Sequence, residues 1–579
     1  MFLCANERYI ENQNNFSKIP GYQIAYWVSG KMLGWFDEKY LYSRIATAKA
    51  GLSTTNNALF LRLWFEVSID SIGFEYMTLE QTSDKEYRFI PEPKGGSFRK
   101  WYGNLDYVVD WYDNGRDIRK AAEGASGGRI VGSEYYFKEG LTWSDITSGG
   151  NLSVRYLPKG MIFNSSAPSA FMHNRKYLAY VLGFMNSIVA KTYLLFLAPS
   201  YHFNAGPIER LPLVYSANNQ VDKLVDASIN LSKKDWDSFE TSWDFKSHPL
   251  ISVISQNRAL FDDTTDIDLA ECYTCWENEC NERFNQLKAN EEELNRIFID
   301  IYGLQDELSP EVEDKDVTVR KADLQRDIKS LISYAVGCMF GRYSLNKEGL
   351  AYAGGEWDES IYSAFVPDRD NIIPICDEEY FSDDIVSRFC EWVKIVYGEK
   401  SLETNLDFIA KALGNKGNTS REVIRNYFLN DFFKDHCNTY SVTGSGKRPI
   451  YWLFDSGKQN GFKALIYMHR YDADTVGRVR TDYLHRAQKY VETAMQSAQY
   501  TIDNAASASE KSKATKAVTK YTKQLAEMKI YDEAIAHVAN QRIKIDLDDG
   551  VKVNYAKLQG VEVAQEGKKA LKVDLLAKI

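Results

Sequence analysis

The chain has 579 residues, more than one hydrophobic core accommodates, so we expect two to four domains. Hydrophobic residues make up 44% and charged residues 26% of it, which is the composition of a soluble globular protein. The net charge of −10 excludes a uniformly basic coat for nucleic acid, although it leaves room for one basic face.

The N-terminal half predicts a mixture of short helices and strands. Residues 23–29 and 39–50 are interpreted as helical pieces. The β-branched and aromatic runs at 107–111 and 153–157 predict strands, and the apolar stretch from about 175 to 197 predicts one helix. We therefore predict a mixed α/β domain in this half.

From about residue 220 the pattern becomes helical. Long amphipathic stretches predict helices at 267–302 and 321–340, and residues 447–470 return to a strand-like pattern. Residues 481–504, and then a stretch continuing to about 541, predict a pair of long helices in an antiparallel hairpin. The predicted fold class is thus α+β and multidomain, with a mostly helical C-terminal region that ends in long helices.

Several features indicate a cytoplasmic protein without a membrane anchor. The first eight residues contain no basic segment followed by an apolar run, so we expect no signal peptide there. The most apolar stretch, 177–199, is interrupted by Asn186, Ser187 and Lys191, which favours a buried helix over a membrane span. The eight cysteines show no disulfide framework and fit a reducing compartment.

Several sequence signatures of catalysis are absent from the chain. DNA adenine methylation needs an Asn/Asp-Pro-Pro-aromatic loop around the flipped base, and no two of the 13 prolines are adjacent. Residues 444–447 (GSGK) lack the first glycine of a phosphate loop, because Ser441 stands there, and are interpreted as a basic turn. Cys272, Cys275 and Cys280 lie within a helical pattern, so we favour an ordinary helix over a zinc site. We expect no catalytic residues, no metal and no cofactor bound by this chain.

Residues 51–62 contain the first of three segments suited to a DNA groove. Thr54, Thr55, Asn56 and Asn57 lie on a turn ahead of an apolar element. Their hydroxyls and amides can cap a helix start, or they can reach phosphates and bases. Both interpretations remain open.

The second segment, residues 94–104, combines glycines, cations and aromatics. Lys94, Arg99 and Lys100 can neutralise phosphates, and Trp101 can stack on a base. A surface loop with solvated charges is the alternative.

The third segment joins residues 136–144 and 163–167. Lys138, Thr142, Asn164 and Ser165 supply a cation and groups able to bond base edges. Between residues 155 and 210 there are also six Lys or Arg and one acid, Glu209. This local excess in an acidic chain indicates an anionic partner, unless the fold scatters these side chains.

These segments carry a family resemblance. Residues 51–67 (GLSTTNNALFLRLWFEV), 94–102 (KGGSFRKWY), 136–144 (YFKEGLTWS) and 182–213 (LGFMNS…GPIERLPL) resemble the target-recognition region of the PglX methyltransferases of bacteriophage-exclusion (BREX) systems. Single-chain type II restriction-modification enzymes share the general pattern. Residues 290–308, 333–357 and 447–471 resemble the C-terminal region of the same family.

The resemblance implies a division of the chain and a function. It implies a junction segment at 1–50, a target-recognition domain at 51–215, a helical domain at 216–435 and a C-terminal domain at 436–579 with a small sheet and a helical hairpin. It also implies sequence-specific binding of double-stranded DNA on behalf of an N6-adenine methyltransferase, together with other phage-defence proteins as partners. The catalytic domain, which uses S-adenosylmethionine, precedes this region in the family and is expected to be missing or separate here. A protein-interaction scaffold, or a decoy without DNA modification of its own, is the alternative.

Overall fold

The computed structural model describes residues 12–125, 129–147, 151–199, 202–256, 266–442, 444–565 and 567–579. The chain divides into two compact units. Unit 1 contains residues 1–64, 71–237 and 278–321, and unit 2 contains residues 65–70, 238–277 and 322–579.

The helices of the described residues, in chain order, are α1 (Gln13–Phe16), α2 (Gly30–Leu33), α3 (Asn57–Phe60), α4 (Tyr112–Gly124), α5 (Leu178–Met185), α6 (Ile188–Leu197), α7 (Ala205–Glu209), α8 (Asn219–Asp237), α9 (Pro249–Gln256), α10 (Leu269–Tyr302), α11 (Leu324–Met339), α12 (Ile385–Tyr397), α13 (Leu402–Ala412), α14 (Ser420–Asn430), α15 (Phe432–Thr439), α16 (Thr475–Arg478), α17 (His485–Asn504), α18 (Ala508–Gln541) and α19 (Gly550–Ala556).

The strands are β1 (Ala46–Lys49), β2 (Leu61–Leu63), β3 (Phe89–Glu92), β4 (Tyr107–Asp110), β5 (Gly140–Trp143), β6 (Val154–Leu157), β7 (Ser169–Met172), β8 (Ile373–Pro374), β9 (Ser441–Val442), β10 (Gly446–Lys447), β11 (Tyr451–Asp455), β12 (Lys463–Tyr467), β13 (Val561–Gln565) and β14 (Lys568–Val573). This inventory confirms the predicted α+β class.

Unit 1 is built on two antiparallel sheets. The larger has the strand order β1-β7-β5-β6, and the smaller has the order β2-β4-β3. Lys49 at the end of β1 pairs with Ser169 at the start of β7, and Thr142 in β5 pairs with the same Ser169. The loop after β1 and the loop before β7 therefore lie at the same end of the two paired strands.

The predicted helix at 175–197 is wrong as a single element. It is two helices, α5 and α6, which bend by 75°. The side chain of Asn186 donates to Val154 O and accepts from Val154 N, each at 2.9 Å, so this residue is bound to the edge of β6. Ser187 then caps α6 by accepting from Ala190 N at 3.3 Å. Two polar side chains thus end one helix and begin the next.

The prediction of helices at residues 23–29 and 39–50 is also wrong. The first range has no helix, and the second contains short 3₁₀ turns at 38–40 and 42–44 followed by β1. Burial explains the second error, because Ala46 and Ala48 are buried while Thr47 and Lys49 are half-exposed, which is the alternation of a strand.

The core of unit 1 lies between the larger sheet and the helices α5, α6, α8 and α10. Phe298 of α10 contacts the rings of Tyr180 and Phe184 on α5 at 5.3 and 5.7 Å. Gly183 lets α8 approach α5 closely, since a Cβ there would lie 3.0 Å from Val225. Among the described residues no single helix is long and apolar enough to span a membrane, although α5 and α6 together have the length and composition.

Unit 2 is built on a small sheet with the order β11-β12-β8, in which every residue of β12 is buried. Arg342 is fully buried beside this sheet and donates to the Tyr467 hydroxyl at 3.0 Å. The predicted strands at 447–470 and helices at 267–302 and 321–340 are confirmed as β11, β12, α10 and α11.

The predicted C-terminal hairpin is confirmed. A short π-helical segment, Val479–Leu484, leads into α17, and α18 follows after a break of three residues. Gln488 on α17 donates to Met528 O on α18 at 3.4 Å, and Met495 contacts Thr522 at 3.7 Å. Residues later in α17 therefore meet residues earlier in α18, so the two helices are antiparallel.

Candidate nucleic-acid interface

The loop after β1 begins at Gly51, which packs so closely on Phe163 that a larger residue would force the backbone to shift. Gly51 has a φ of +82°, and a Cβ at this position would lie 2.5 Å from the carbonyl oxygen of Phe163. The neighbouring Leu52 donates to the same oxygen at 3.0 Å and accepts from Ser165 N at 2.9 Å. The loop after β1 and the loop before β7 are therefore held side by side.

A third loop joins these two. Ser53 N donates to the carbonyl oxygen of Arg129 at 2.8 Å. The Nζ atoms of Lys49 and Lys138 lie 5.8 and 5.3 Å from the ring centre of Tyr135, so both cations lie over one aromatic ring. We use the name "loop surface" for the residues brought together here: Lys49, Thr55, Asn56, Asn57, Arg129, Lys138 and Ser165.

The polar side chains of the loop surface point outward. Thr55, Asn56, Asn57 and Ser165 are exposed. Thr55 adopts a φ of 57°, which is unfavourable for a β-branched residue and is found where the surrounding structure imposes it. Asn56 caps α3 by accepting from Leu59 N at 3.2 Å, which leaves its amide NH₂ directed away from the helix. The loop therefore presents amides and hydroxyls to the solvent.

The cations of the loop surface give it a positive rim. Arg129 and Lys138 are exposed, and Lys49 is half-exposed. One acid, Glu134, is also exposed on the stretch between Arg129 and Lys138. Lys49 and the stretch from Arg129 to Lys138 thus contribute three cations and one exposed carboxylate, in a chain whose net charge is −10.

Beneath the loop surface lies a buried carboxylate. Glu92, at the end of β3, is fully buried and accepts a hydrogen bond from the side-chain amide of Asn164. Burial raises the pKa of Glu92 to about 7, while Lys94 and Asn164 oppose that shift. The Asn164 oxygen accepts from Ser166 N at 2.9 Å, so the pair fixes the loop that displays Ser165. Asn164 thus supports the loop from inside.

Residues 94–104 are used differently, and we call them the inner loop. Lys100 donates to Glu291 Oε2 at 2.6 Å, and the indole of Trp101 donates to Glu291 Oε1 at 2.7 Å. Lys100 is only 8% and Trp101 only 1% exposed. Arg99 is paired with Asp235 at 3.1 Å. Arg99, Lys100 and the indole of Trp101 therefore bind acids of α8 and α10.

The remaining predicted residues are also internal or half-buried. Thr142 is 1% exposed and bonds the carbonyl oxygens of Ala167 and Pro168 at 3.3 Å each. Thr54 is buried and bonds the Asn57 side chain. Lys94 is half-buried, with Nζ 5.1 Å from the ring centre of Tyr107.

The excess of cations between residues 155 and 210 does not form one face. Arg155 is 1% exposed. Arg175 is exposed but is paired at 2.9 Å with Glu139, an acid that lies outside that stretch of sequence. Counting charges along a window of sequence misses partners supplied by other strands.

Two cations of the loop surface, Lys49 and Arg129, were not among the predicted site residues. The alternation of small and polar residues at 46–49 is a signal of a strand that would have placed Lys49 at its exposed end. Arg129 follows a glycine pair and has no such signal.

Within the described ranges, no group of three or more His, Cys, Asp or Glu side chains is arranged to hold a metal ion. A cleft of unit 1 beside Lys100 and Lys191 has a volume of about 60 Å³.

Two known proteins are similar to nearly the whole chain. The adenine-specific methyltransferase PglX of Lacticaseibacillus casei strain Zhang is 45% identical over 562 residues, which cover 96% of this chain and 46% of that protein. The adenine-specific methyltransferase BrxX of Escherichia coli O9:H4 strain HS is 34% identical over 576 residues, which cover 94% of this chain and 45% of that protein. No protein-family model matches. The chain is therefore homologous to adenine-specific methyltransferases of this type, and it spans about half the length of these relatives.

Proposed function

We propose that the chain is the DNA-recognition part, in the C-terminal half, of a PglX-type, site-specific N6-adenine methyltransferase of a BREX phage-defence system. The loop surface of unit 1 reads the target, with Asn56, Asn57, Thr55 and Ser165 at the bases and Lys49, Arg129 and Lys138 at the phosphates. Methyl transfer and S-adenosylmethionine binding belong to the part of the relatives' length that these 579 residues do not match.

The observation that carries this proposal is the 45% identity to a protein named as an adenine-specific methyltransferase. The loop surface supports the assignment to recognition, because amides and hydroxyls can pair with base edges while cations neutralise phosphates. The sequence also has no Pro-Pro pair from which an adenine-binding catalytic loop could be made.

A binding experiment tests the proposal. A preferred site is first selected from a library of random duplexes with the purified chain, and the dissociation constants for that site and for a scrambled duplex are then compared across salt concentrations. We expect tighter binding of the selected site by a factor of about 10³ or more. Equal affinity for both duplexes contradicts the proposed function, and so does methyl transfer to adenine by the purified chain alone.

Variants assign the role to the loop surface. The triple variant Lys49→Gln/Arg129→Gln/Lys138→Gln should weaken binding to both duplexes and lower the slope of log affinity against log salt by about 0.9 per lost phosphate contact. The matched control Lys223→Gln/Arg296→Gln/Lys315→Gln removes the same charge from exposed positions of α8, α10 and the 309–318 loop. Equal slopes for the two variants contradict the assignment.

A second candidate function is supported by an exposed apolar segment of unit 1. Tyr22, Ile24 and Trp27 are 76%, 71% and 51% exposed, which is unusual for large apolar side chains so close in sequence. Such a segment suits a protein partner. Capture of defence-system proteins after nuclease treatment, lost in the Tyr22→Ser/Ile24→Ser variant, distinguishes this function from DNA recognition.

A further inference from the structure

Helix α18 of unit 2 carries a concentration of positive charge that the loop surface does not explain. Between residues 510 and 526 there are five lysines and one acid, Glu510, in a chain whose net charge is −10. All five lysines are exposed. Like charges three or four residues apart repel one another and destabilise a helix, so helix stability alone does not account for these lysines.

Four of these lysines form one stripe. Lys513, Lys516, Lys520 and Lys523 follow at steps of three, four and three residues, which places them on one face of the helix. The stripe extends over about 15 Å at 1.5 Å per residue. The stripe lies on a different face of α18 from the one that packs on α17, where Thr522 contacts Met495.

A neighbouring turn adds a fifth cation to the same face. The amide of Gln524 donates to the carbonyl oxygens of Gln459 and Asn460 at 3.3 and 3.2 Å, so the turn between β11 and β12 lies against α18. Lys458 is exposed on this turn. The basic surface therefore consists of two elements that the fold brings together.

Two acids near this surface, Glu527 and Asp377, have other partners. Glu527 accepts from the Ser456 hydroxyl and from Gln459 N, both at 2.8 Å, and so serves to anchor the turn. Asp377 is paired with Lys520 and also accepts from Gln524 at 3.2 Å. Lys458, Lys513, Lys516 and Lys523 thus remain as a positive surface after these carboxylates have been assigned.

We propose that Lys458, Lys513, Lys516 and Lys523 form a second DNA contact, in unit 2, which binds the phosphate backbone of double-stranded DNA without reading its sequence. One strand of B-DNA presents a phosphate about every 3.4 Å along the axis, so a stripe of about 15 Å meets several of them. Lysine suits this role because its ammonium is a flexible point charge, whereas bidentate base reading favours arginine or an amide. The inference rests on the proposed function in taking duplex DNA as the partner.

The test compares two charge-matched variants of the full chain. Lys513→Gln/Lys516→Gln/Lys523→Gln removes three cations from the stripe. Lys511→Gln/Lys529→Gln/Lys552→Gln removes three exposed cations, two from the opposite side of α18 and one from α19. All substitutions are at exposed positions with a helix-compatible residue, and equal helical circular dichroism and melting temperature verify that both variants fold.

The stripe variant should bind selected and scrambled duplexes more weakly by one common factor, on the order of tenfold to a hundredfold, with the salt slope lower by about 2.7. The control should retain the parent's slope to within about one unit. An unchanged slope in the stripe variant overturns the inference, and this is the result expected if the lysines bind an acidic protein instead.

The same measurement separates this inference from the proposed function. If the parent prefers the selected site but the stripe variant matches the control, recognition stands and the second contact fails. If the parent binds both duplexes equally and the stripe variant loses affinity, the second contact stands and target recognition fails. A parent that binds neither duplex overturns both.

Discussion

The inner loop and the loop surface of unit 1 have similar compositions and opposite uses. Both combine small residues, cations and polar groups, yet Lys100 and Trp101 bind the buried Glu291, whereas Asn56 and Lys138 face the solvent. The difference arises because α10 places a carboxylate against the inner loop, and a buried charge is stable only beside such a partner. A cation in a glycine-rich loop is therefore evidence of a binding surface only when no acid of the fold can reach it.

The largest effect should come from removing the partner of the inner loop. Glu291→Ala leaves the Lys100 ammonium buried and unpaired and also deprives the Trp101 indole of its acceptor, so we expect a loss of about 3–5 kcal/mol in the free energy of unfolding. Denaturant titration followed by tryptophan fluorescence measures it. Lys138→Ala, a cation removed from the loop surface, should change stability by less than about 0.5 kcal/mol. Equal effects of the two substitutions contradict the contrast between the loops.

The next largest effect concerns the carboxylate beneath the loop surface. Burial raises the pKa of Glu92 from its ordinary value of 4.5 to about 7. Between these two values the folded state keeps a proton that the unfolded state releases, so this group lowers stability as the pH rises from 4.5 to 7. Glu92→Gln should remove that loss and gain at most about 3 kcal/mol at pH 8, at about 1.36 kcal/mol per pKa unit.

Unfolding of the parent and Glu92→Gln at pH 5 and pH 8 measures this effect. The two proteins should differ little at pH 5 and more at pH 8, with the variant the more stable. The side-chain oxygen of the new glutamine can still accept from Asn164, so the loop surface should keep its DNA selectivity. If the variant is less stable than the parent at pH 8, the charge of Glu92 stabilises the folded protein. That result contradicts the assignment of the raised pKa to burial.

A change at a single amide should relax selectivity without disturbing the loop. Asn56→Ser keeps an oxygen that can cap α3 but removes the NH₂ group, so discrimination at one base pair should fall by about 1–3 kcal/mol. Competition binding with singly substituted duplexes measures it. Asn204→Ser is the matched control, since Asn204 is an exposed asparagine that caps α7 in the same unit by accepting from Gly206 N at 3.2 Å. A similar loss in both variants indicates a general effect on stability rather than base reading.

The smallest effect should follow from the ring shared by two cations. Tyr135→Leu removes the aromatic ring that lies near both Lys49 and Lys138, and it also removes the stacking of Tyr135 on Phe171, whose ring centres are 4.7 Å apart. We expect duplex affinity to fall by about 0.5–1 kcal/mol, because the cations are no longer held in place. Tyr135→Phe keeps the ring and should bind like the parent. If both variants lose affinity equally, the hydroxyl rather than the ring is responsible.

The long elements of the fold could be predicted from the sequence because their signals are local. The 3.6-residue periodicity of α10 and α11 and the short, continuous apolar runs of β11 and β12 each indicate an element without knowledge of its neighbours. The bend between α5 and α6 could not be predicted in this way, since Asn186 ends α5 by bonding Val154, which is 32 residues earlier in the chain. The site followed the same rule. The loop that displays Asn56 and Asn57 was found from its polar turn, whereas Lys49 and Arg129 joined it only through the contacts that assemble three separate loops.

The sequence by itself determined the elements, the α+β class and the homology to adenine-specific methyltransferases, because these depend on the order and spacing of residues. The tertiary structure alone decided which cations are available to a partner. Lys100 and Lys138 are equivalent in sequence terms, and what separates them is a carboxylate 191 residues away from the former, brought to 2.6 Å by the folding of α10 against the inner loop. Electrostatic interactions act across space, so the fate of a charged side chain follows from its neighbours in the fold and not from its neighbours in the chain.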